Sequence, residues 1–212
     1  MISADVAAQL AALNVSRESF ERLEIYVETL TAWQARINLV GPSTLKEIWP
    51  RHILDCAQLL PHIPPETKLV ADLGSGAGLP GLILGIARPY RVHLYESSGK
   101  KAAFLSAAIE AMGITNARVI PARIESLSIA KPDVITARAL ASLPKLLSYA
   151  YEIGGETALC IFPKGQDVAV ELTEAAKILA YGDRAAAQPD EPRLDRSAHQ
   201  KAPAEAAGPL NP

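Results

Sequence analysis

Between Leu69 and Phe162 short apolar runs alternate with longer stretches of helical period. Leu69-Val70-Ala71-Asp72-Leu73 reads as a strand, followed by a helix over roughly Leu79 to Ala87. Arg91 to Glu96 alternates with period two as a second strand, and a helix follows from about Gly99 to Met112. Further strands fall near Arg118 to Pro121, Asp133 to Ala137 and Thr157 to Phe162. Strands separated by helical stretches predict a parallel sheet covered on both faces, with any ligand at the carboxyl ends of the strands.

Residues 1–65 read as a helical segment packed on the same domain. Ser16 caps a helix in which Phe20, Leu23, Val27, Leu30 and Trp33 recur three and four apart, opposite Glu21, Glu24 and Glu28. After Gly41-Pro42, short helical pieces carry Ile48, Trp49, Ile53, Leu54, Leu59 and Leu60, and the run from Pro61 to Pro65 closes the segment. Residues 66–180 form the α/β core, including a helix over about Asp167 to Leu179. Residues 181–212 contain no Val, Ile, Phe or Trp and read as a disordered tail.

The candidate chemistry sits where the first strand ends. Gly74, Gly76 and Gly78 follow Asp72 at alternate positions, letting backbone approach a ligand, and the helix beginning near Pro80 turns its free N–H groups toward the same place. The string Gly76 to Gly81 also fits the dinucleotide pattern G-x-G-x-x-G. Two features disfavour a pyrophosphate: Pro80 lacks an N–H, and Asp72 beneath the loop repels phosphate. A carboxylate there suits the ammonium group of S-adenosylmethionine, and it also serves as a brace for the loop. Glu96, 22 residues after Gly74, has the spacing of a carboxylate that accepts both ribose hydroxyls of an adenosine; the plainer alternative is a solvated strand end.

Charge and composition narrow the setting. The chain has 212 residues, 49% of them hydrophobic, and a net charge of −2, which fits one domain with a substantial core and argues against a general polyanion binder. The excess is uneven: −2 over residues 1–60, +3 over 61–165 and −3 over 166–212. The positive part coincides with the glycine loop. No apolar run is long enough to span a bilayer and no export signal opens the chain, so a cytoplasmic protein with no membrane role is expected. Cys56 and Cys160 are expected as reduced core thiols, with no metal site.

Together, Asn38-Leu39, Arg51-His52-Ile53-Leu54-Asp55, the loop from Asp72 to Gly81, Glu96 to Leu105, Arg123-Ile124-Glu125, Thr136-Ala137-Arg138-Ala139 and Lys164-Gly165 resemble the bacterial ribosomal RNA small subunit methyltransferase G family (RsmG, also called GidB). The motifs keep the family's order over about residues 20–180. Cys56 stands where the family usually has Ser. The resemblance implies a class I S-adenosylmethionine-dependent, Rossmann-like fold with an N-terminal helical extension. It also implies methylation of guanine N7 in 16S ribosomal RNA, and a protein acting as a monomer on that RNA or on the small subunit. It places cofactor contacts at Gly74, Leu79, Ile124, Glu125 and Arg138. Class I enzymes add two strands after the fifth, and nothing past Tyr181 reads as supplying them. A relative that binds RNA or senses cofactor without catalysis is therefore the alternative, ahead of a nicotinamide dehydrogenase.

Guanine N7 carries a lone pair and no proton, so methylation needs positioning rather than a general base. Arg138 is expected at the reaction rim, binding guanine O6 or a phosphate, unless it pairs structurally with Glu125. His52 and Asp55, three apart on a helix, either face the substrate cleft or tie the N-terminal helices to the sheet, and they stand outside the catalytic set. Lys100, Lys101, Arg123 and Lys164 are the candidate RNA phosphate contacts, with plain solvated charge as the alternative.

Overall fold

A computed structural model describes residues 2–126 and 131–163. Lys164, Gly165, the helix expected over Asp167 to Leu179 and the tail over 181–212 lie outside the described residues.

Five parallel strands form one sheet in the order β3-β2-β1-β4-β5: β1 (Leu69–Leu73), β2 (Arg91–Tyr95), β3 (Ala117–Ile120), β4 (Val134–Ala137) and β5 (Leu159–Ile161). All five fall within a residue or two of the expected runs. Period-two alternation sorts the side chains into two cores. Val70, Val92, Leu94 and Val134 point to one face, while Ala71, Leu73, Tyr95, Ile135 and Ala137 point to the other. The strand order reverses between β1 and β4, and a crevice at such a reversal is where doubly wound folds bind ligands.

The first face is covered by α1 (Ala4–Ala12), α2 (Arg17–Gln34), α3 (Asp55–Ala57), α4 (Gly81–Ala87) and α5 (Gly99–Met112). Ser16 caps α2 as expected, its hydroxyl accepting from the Ser19 N–H at 3.1 Å. The buried stripe of α2 is rotated from the expected one: Ser19, Leu23, Tyr26 and Leu30 are enclosed, whereas Phe20, Val27 and Trp33 are half-buried. Specific bonds explain the rotation. The Ser19 hydroxyl donates to Ile86 O at 2.8 Å and the Tyr26 hydroxyl to Ala77 O at 2.6 Å, so α2 is fastened to both ends of the loop-to-α4 segment.

Between α2 and β1 run a 3₁₀ turn over Pro42–Glu47, a π-helical turn over Trp49–Leu54, then α3 and a second 3₁₀ turn over Leu60–His62. On the opposite face lies α6 (Leu143–Gly154), an element absent from the expected set although its apolar residues recur three and four apart. Leu143, Leu146, Ala150 and Ile153 are buried along it, Pro144 sits in its first turn and Gly155 follows it. A parallel β4–β5 pair requires such a crossover. Among the described residues no helix is long and apolar enough to cross a membrane.

Candidate functional site

The loop after β1 owes its shape to three left-handed glycines, Gly74 (φ +64°), Gly76 (φ +56°) and Gly78 (φ +82°). Two of them also answer to packing. A β-carbon on Gly74 would lie 2.5 Å from Leu140 Cδ1, and one on Gly78 would lie 2.5 Å from Leu82 Cδ1. Of the three only Gly76 has room for one, its nearest neighbour being Gly74 O at an ordinary contact distance of 3.7 Å. The loop is therefore a preformed turn wedged between α4, α5 and the segment after β4.

Asp72 lies beneath this loop, fully enclosed. Its Oδ1 accepts from the Thr136 hydroxyl at 2.8 Å, while Oδ2 is buried without a hydrogen-bond partner and lies against Gly81, where a β-carbon would come within 2.8 Å of it. Burial raises the carboxyl to about 6, and the Thr136 hydrogen bond only partly opposes it. For folding this makes the Asp72 contribution complete below the ordinary value of 3.8 and lost as pH rises through about 6. Ionised Asp72 is a buried negative charge that a cationic ligand above the loop would compensate.

Glu96 closes the loop from the β2 side. Its Oε2 accepts from the Gly76 N–H at 2.8 Å and its Oε1 from the Ser98 N–H at 2.7 Å, so the carboxylate that spacing singled out also braces the glycine turn. Leu79 packs into the main core, leaving its backbone as what it can offer a ligand. The Leu79-Pro80 peptide is cis, and α4 starts one residue later, at Gly81.

Two clefts flank the turn after β4. The smaller, of about 290 Å³, gathers Gly74, Ile124, Glu125 and Tyr149. There Glu125 accepts from the Tyr149 hydroxyl at 2.6 Å, which holds its carboxyl below the usual range, and Lys145 Nζ stands 5.4 Å from the Tyr149 ring centre. The larger, of about 670 Å³, is lined by Thr44, Arg51, His52, Asp55, Cys56 and Arg138, together with the turn itself. Leu140 and Ala141 belong to both walls. Ala139, at φ +54°, is a non-glycine residue held in the left-handed region, a conformation costing about 1 kcal/mol or more, and it begins the turn that seats Leu140 on Gly74.

Arg138 does not pair with Glu125. One guanidinium nitrogen bonds His52 Nδ1 and the other lies 3.6 Å from Cys56 Sγ. The remaining bonds assign the histidine tautomer. Thr44 Oγ1 donates to Gly41 O at 2.8 Å, so toward His52 Nε2, also at 2.8 Å, it accepts; Nε2 carries the proton and Nδ1 offers its lone pair to Arg138. Burial, then Arg138, then Arg51 lower His52 to about 4, which keeps the ring neutral. Burial pushes the Cys56 thiol up to about 12, so it is no nucleophile. His52 thus both faces the cleft and ties the helical segment to β4. Cys160 is half-buried at the edge of the second core.

Of the residues named from sequence, Gly74, Ile124 and Glu125 share one cleft, while Arg138 belongs to the other. Lys100 and Lys101 stand at the start of α5, and Arg123 precedes Ile124 on the smaller cleft. Sequence reasoning missed Tyr26, the bolt under the loop, although its place between Leu23 and Leu30 put it on the apolar stripe. It also missed Thr44, whose partner lies eight residues away across two irregular turns. No group of three metal-ligating side chains occurs among the described residues.

The sequence profile described as rRNA small subunit methyltransferase G matches residues 19–186. A protein named ribosomal RNA small subunit methyltransferase G from Rhodospirillum rubrum is 51% identical over 163 residues, covering 76% of this chain and 80% of the relative. One of the same name from Hyphomonas neptunium is 48% identical over 172 residues, covering 81% and 82%. Among solved structures, a ribosomal protein L11 methylase from Lactobacillus delbrueckii subsp. bulgaricus superposes with a TM-score of 0.52 at 18% identity, over 62% of this chain and 67% of that one, a likeness of fold.

Proposed function

This chain belongs to the ribosomal RNA small subunit methyltransferase G family, and from that membership we propose that it transfers a methyl group from S-adenosylmethionine to N7 of a guanosine in 16S ribosomal RNA. The observation that carries the reading is the preformed glycine turn over the partnerless oxygen of Asp72, set beside a cleft that presents Arg138. These residues fit the methyl donor. The turn leaves Gly76 open for close approach, and the buried carboxylate answers a cationic ligand where it would oppose a phosphate.

When bound, S-adenosylmethionine supplies an electrophilic methyl on a sulfonium centre. In this reading the cofactor is held by Gly74, Gly76, Gly78, the Leu79 backbone, Glu96, Ile124, Glu125 and Arg138, and Asp72 acts electrostatically from below. Arg138, its orientation fixed by neutral His52, holds the guanine in line through O6 or a neighbouring phosphate; because positive charge passes from sulfur to the purine, its part is positioning. N7 attacks through its own lone pair, so no side chain has to move a proton. Lys100, Lys101, Arg123 and Lys164 supply the RNA phosphate contacts. Residues 1–65, which bring Thr44, Arg51, His52, Asp55 and Cys56 to the larger cleft, are the helical extension, residues 66–180 are assigned as the catalytic core, and the protein works as a monomer in the cytoplasm.

Calorimetric titration tests the cofactor assignment. S-adenosylmethionine should bind at one site and NADH should not. Because Asp72 ionises near pH 6 and only the ionised form attracts a cation, affinity should fall roughly tenfold between pH 8 and pH 5. Asp72→Asn should flatten that dependence. Preference for NADH, or a flat profile in the unsubstituted protein, would contradict the assignment.

A further inference from the structure

The larger cleft holds one feature that methyl transfer to N7 does not use. Asp55 is the one carboxylate among the described residues lining it, the side chain is exposed, and it forms no hydrogen bond or ion pair with any described residue. Its neighbours are otherwise accounted for. His52 is neutral and bonded at both nitrogens, Cys56 is a buried thiol, and Arg51 stands 3.9 Å from Glu47. Among its side chains the cleft therefore offers a base an oriented guanidinium, Arg138, and a carboxylate acceptor, Asp55.

Guanine presents its polar atoms in a fixed sequence around the ring: N7, then O6, then N1–H, then the N2 amino group. A base with N7 at the reaction rim and O6 toward a guanidinium necessarily turns its N1–H and N2 amino group to the next stretch of wall. We infer that Asp55 reads the target base by accepting hydrogen bonds from N1–H and the N2 amino group, which makes it the residue that specifies guanine. The inference rests on the guanine-N7 reading above and adds what enforces the choice of base. Adenine presents the reverse: an amino group where O6 should meet Arg138, and a lone pair where Asp55 needs a donor. Both mismatches leave charged groups desolvated without partners, which rejects a base far more strongly than lost packing does.

The test compares short 16S-derived RNAs carrying guanosine or inosine at the methylated position; inosine keeps N7, O6 and N1–H and lacks only the N2 amino group. The unsubstituted protein should prefer guanosine by about 10-fold or more in kcat/KM, the loss of one hydrogen bond to a charged acceptor. In Asp55→Ala that ratio should collapse to about one, with S-adenosylmethionine affinity unchanged. Asp55→Asn, which keeps one acceptor oxygen, should give an intermediate ratio and serves if the alanine variant folds poorly. A preference for guanosine that survives in both variants overturns the inference and leaves the N7 reading standing. Failure of the unsubstituted protein to methylate the guanosine RNA overturns both.

Discussion

Arg138→Ala should lower methyl transfer about 10²-fold, the loss expected when a group that positions the reacting base is removed. S-adenosylmethionine affinity should fall less than about tenfold, because the glycine turn, Asp72 and Glu96 are untouched. The same substitution leaves His52 Nδ1 without its donor, so the cleft should loosen where the helical segment meets β4. Arg138→Lys tests geometry against charge. A lysine keeps the cation and loses the fork that reaches His52 and Cys56 together, so it should recover little of the activity. Single-turnover transfer alongside cofactor titration separates the two effects. Transfer by Arg138→Ala at the unsubstituted rate would remove this residue from the mechanism.

Gly78→Val should destabilise the fold by about 3 kcal/mol or more and abolish cofactor binding. Two costs combine. A β-branched residue at φ +82° is strained by roughly 1–3 kcal/mol, and its β-carbon would fall 2.5 Å from Leu82 Cδ1 and 3.0 Å from Leu105 Cδ2, in a core that resists overpacking. Gly76→Ala provides the internal control. It shares the left-handed backbone at φ +56° but meets no side chain, so about 1 kcal/mol is expected from conformation alone. Denaturant melts of both variants would check the ordering; equal stabilities would mean that packing around the loop contributes nothing.

The fold was largely legible because its main signals are local. The five strands are apolar runs bounded by turn residues, and α5 is a stripe ending at a left-handed glycine, Gly113. The missed α6 carried the same kind of signal, with Pro144 at its start and apolar residues three and four apart. In α2 the pattern gave the helix and its cap, but not that Ser19 and Tyr26 turn inward, because their partners Ile86 O and Ala77 O lie 67 and 51 positions away.

The glycine loop and Glu96 were recognisable from spacing. The place of Asp72 under the loop was legible too; that Glu96 binds the Gly76 N–H and that the Thr136 hydroxyl binds Asp72 depend on the register of β2 and β4 against β1. Least legible was the contact between His52 and Arg138, 86 positions apart and joined only when the π-helical turn is laid over the end of β4. For His52 and Asp55 the sequence leaves two directions open, the substrate cleft or a tie from the helical segment to the sheet. The cavity shows the first: both face the larger cleft.

The most direct measurement is to incubate the purified protein with methyl-labelled S-adenosylmethionine and small ribosomal subunits or 16S RNA lacking the modification. The label is then located by nuclease digestion and mass spectrometry. The account predicts one methyl per RNA, on N7 of a single guanosine, with Arg138→Ala reducing it to background. Label on another atom or base, or binding of the methyl donor with no transfer to RNA, would contradict it.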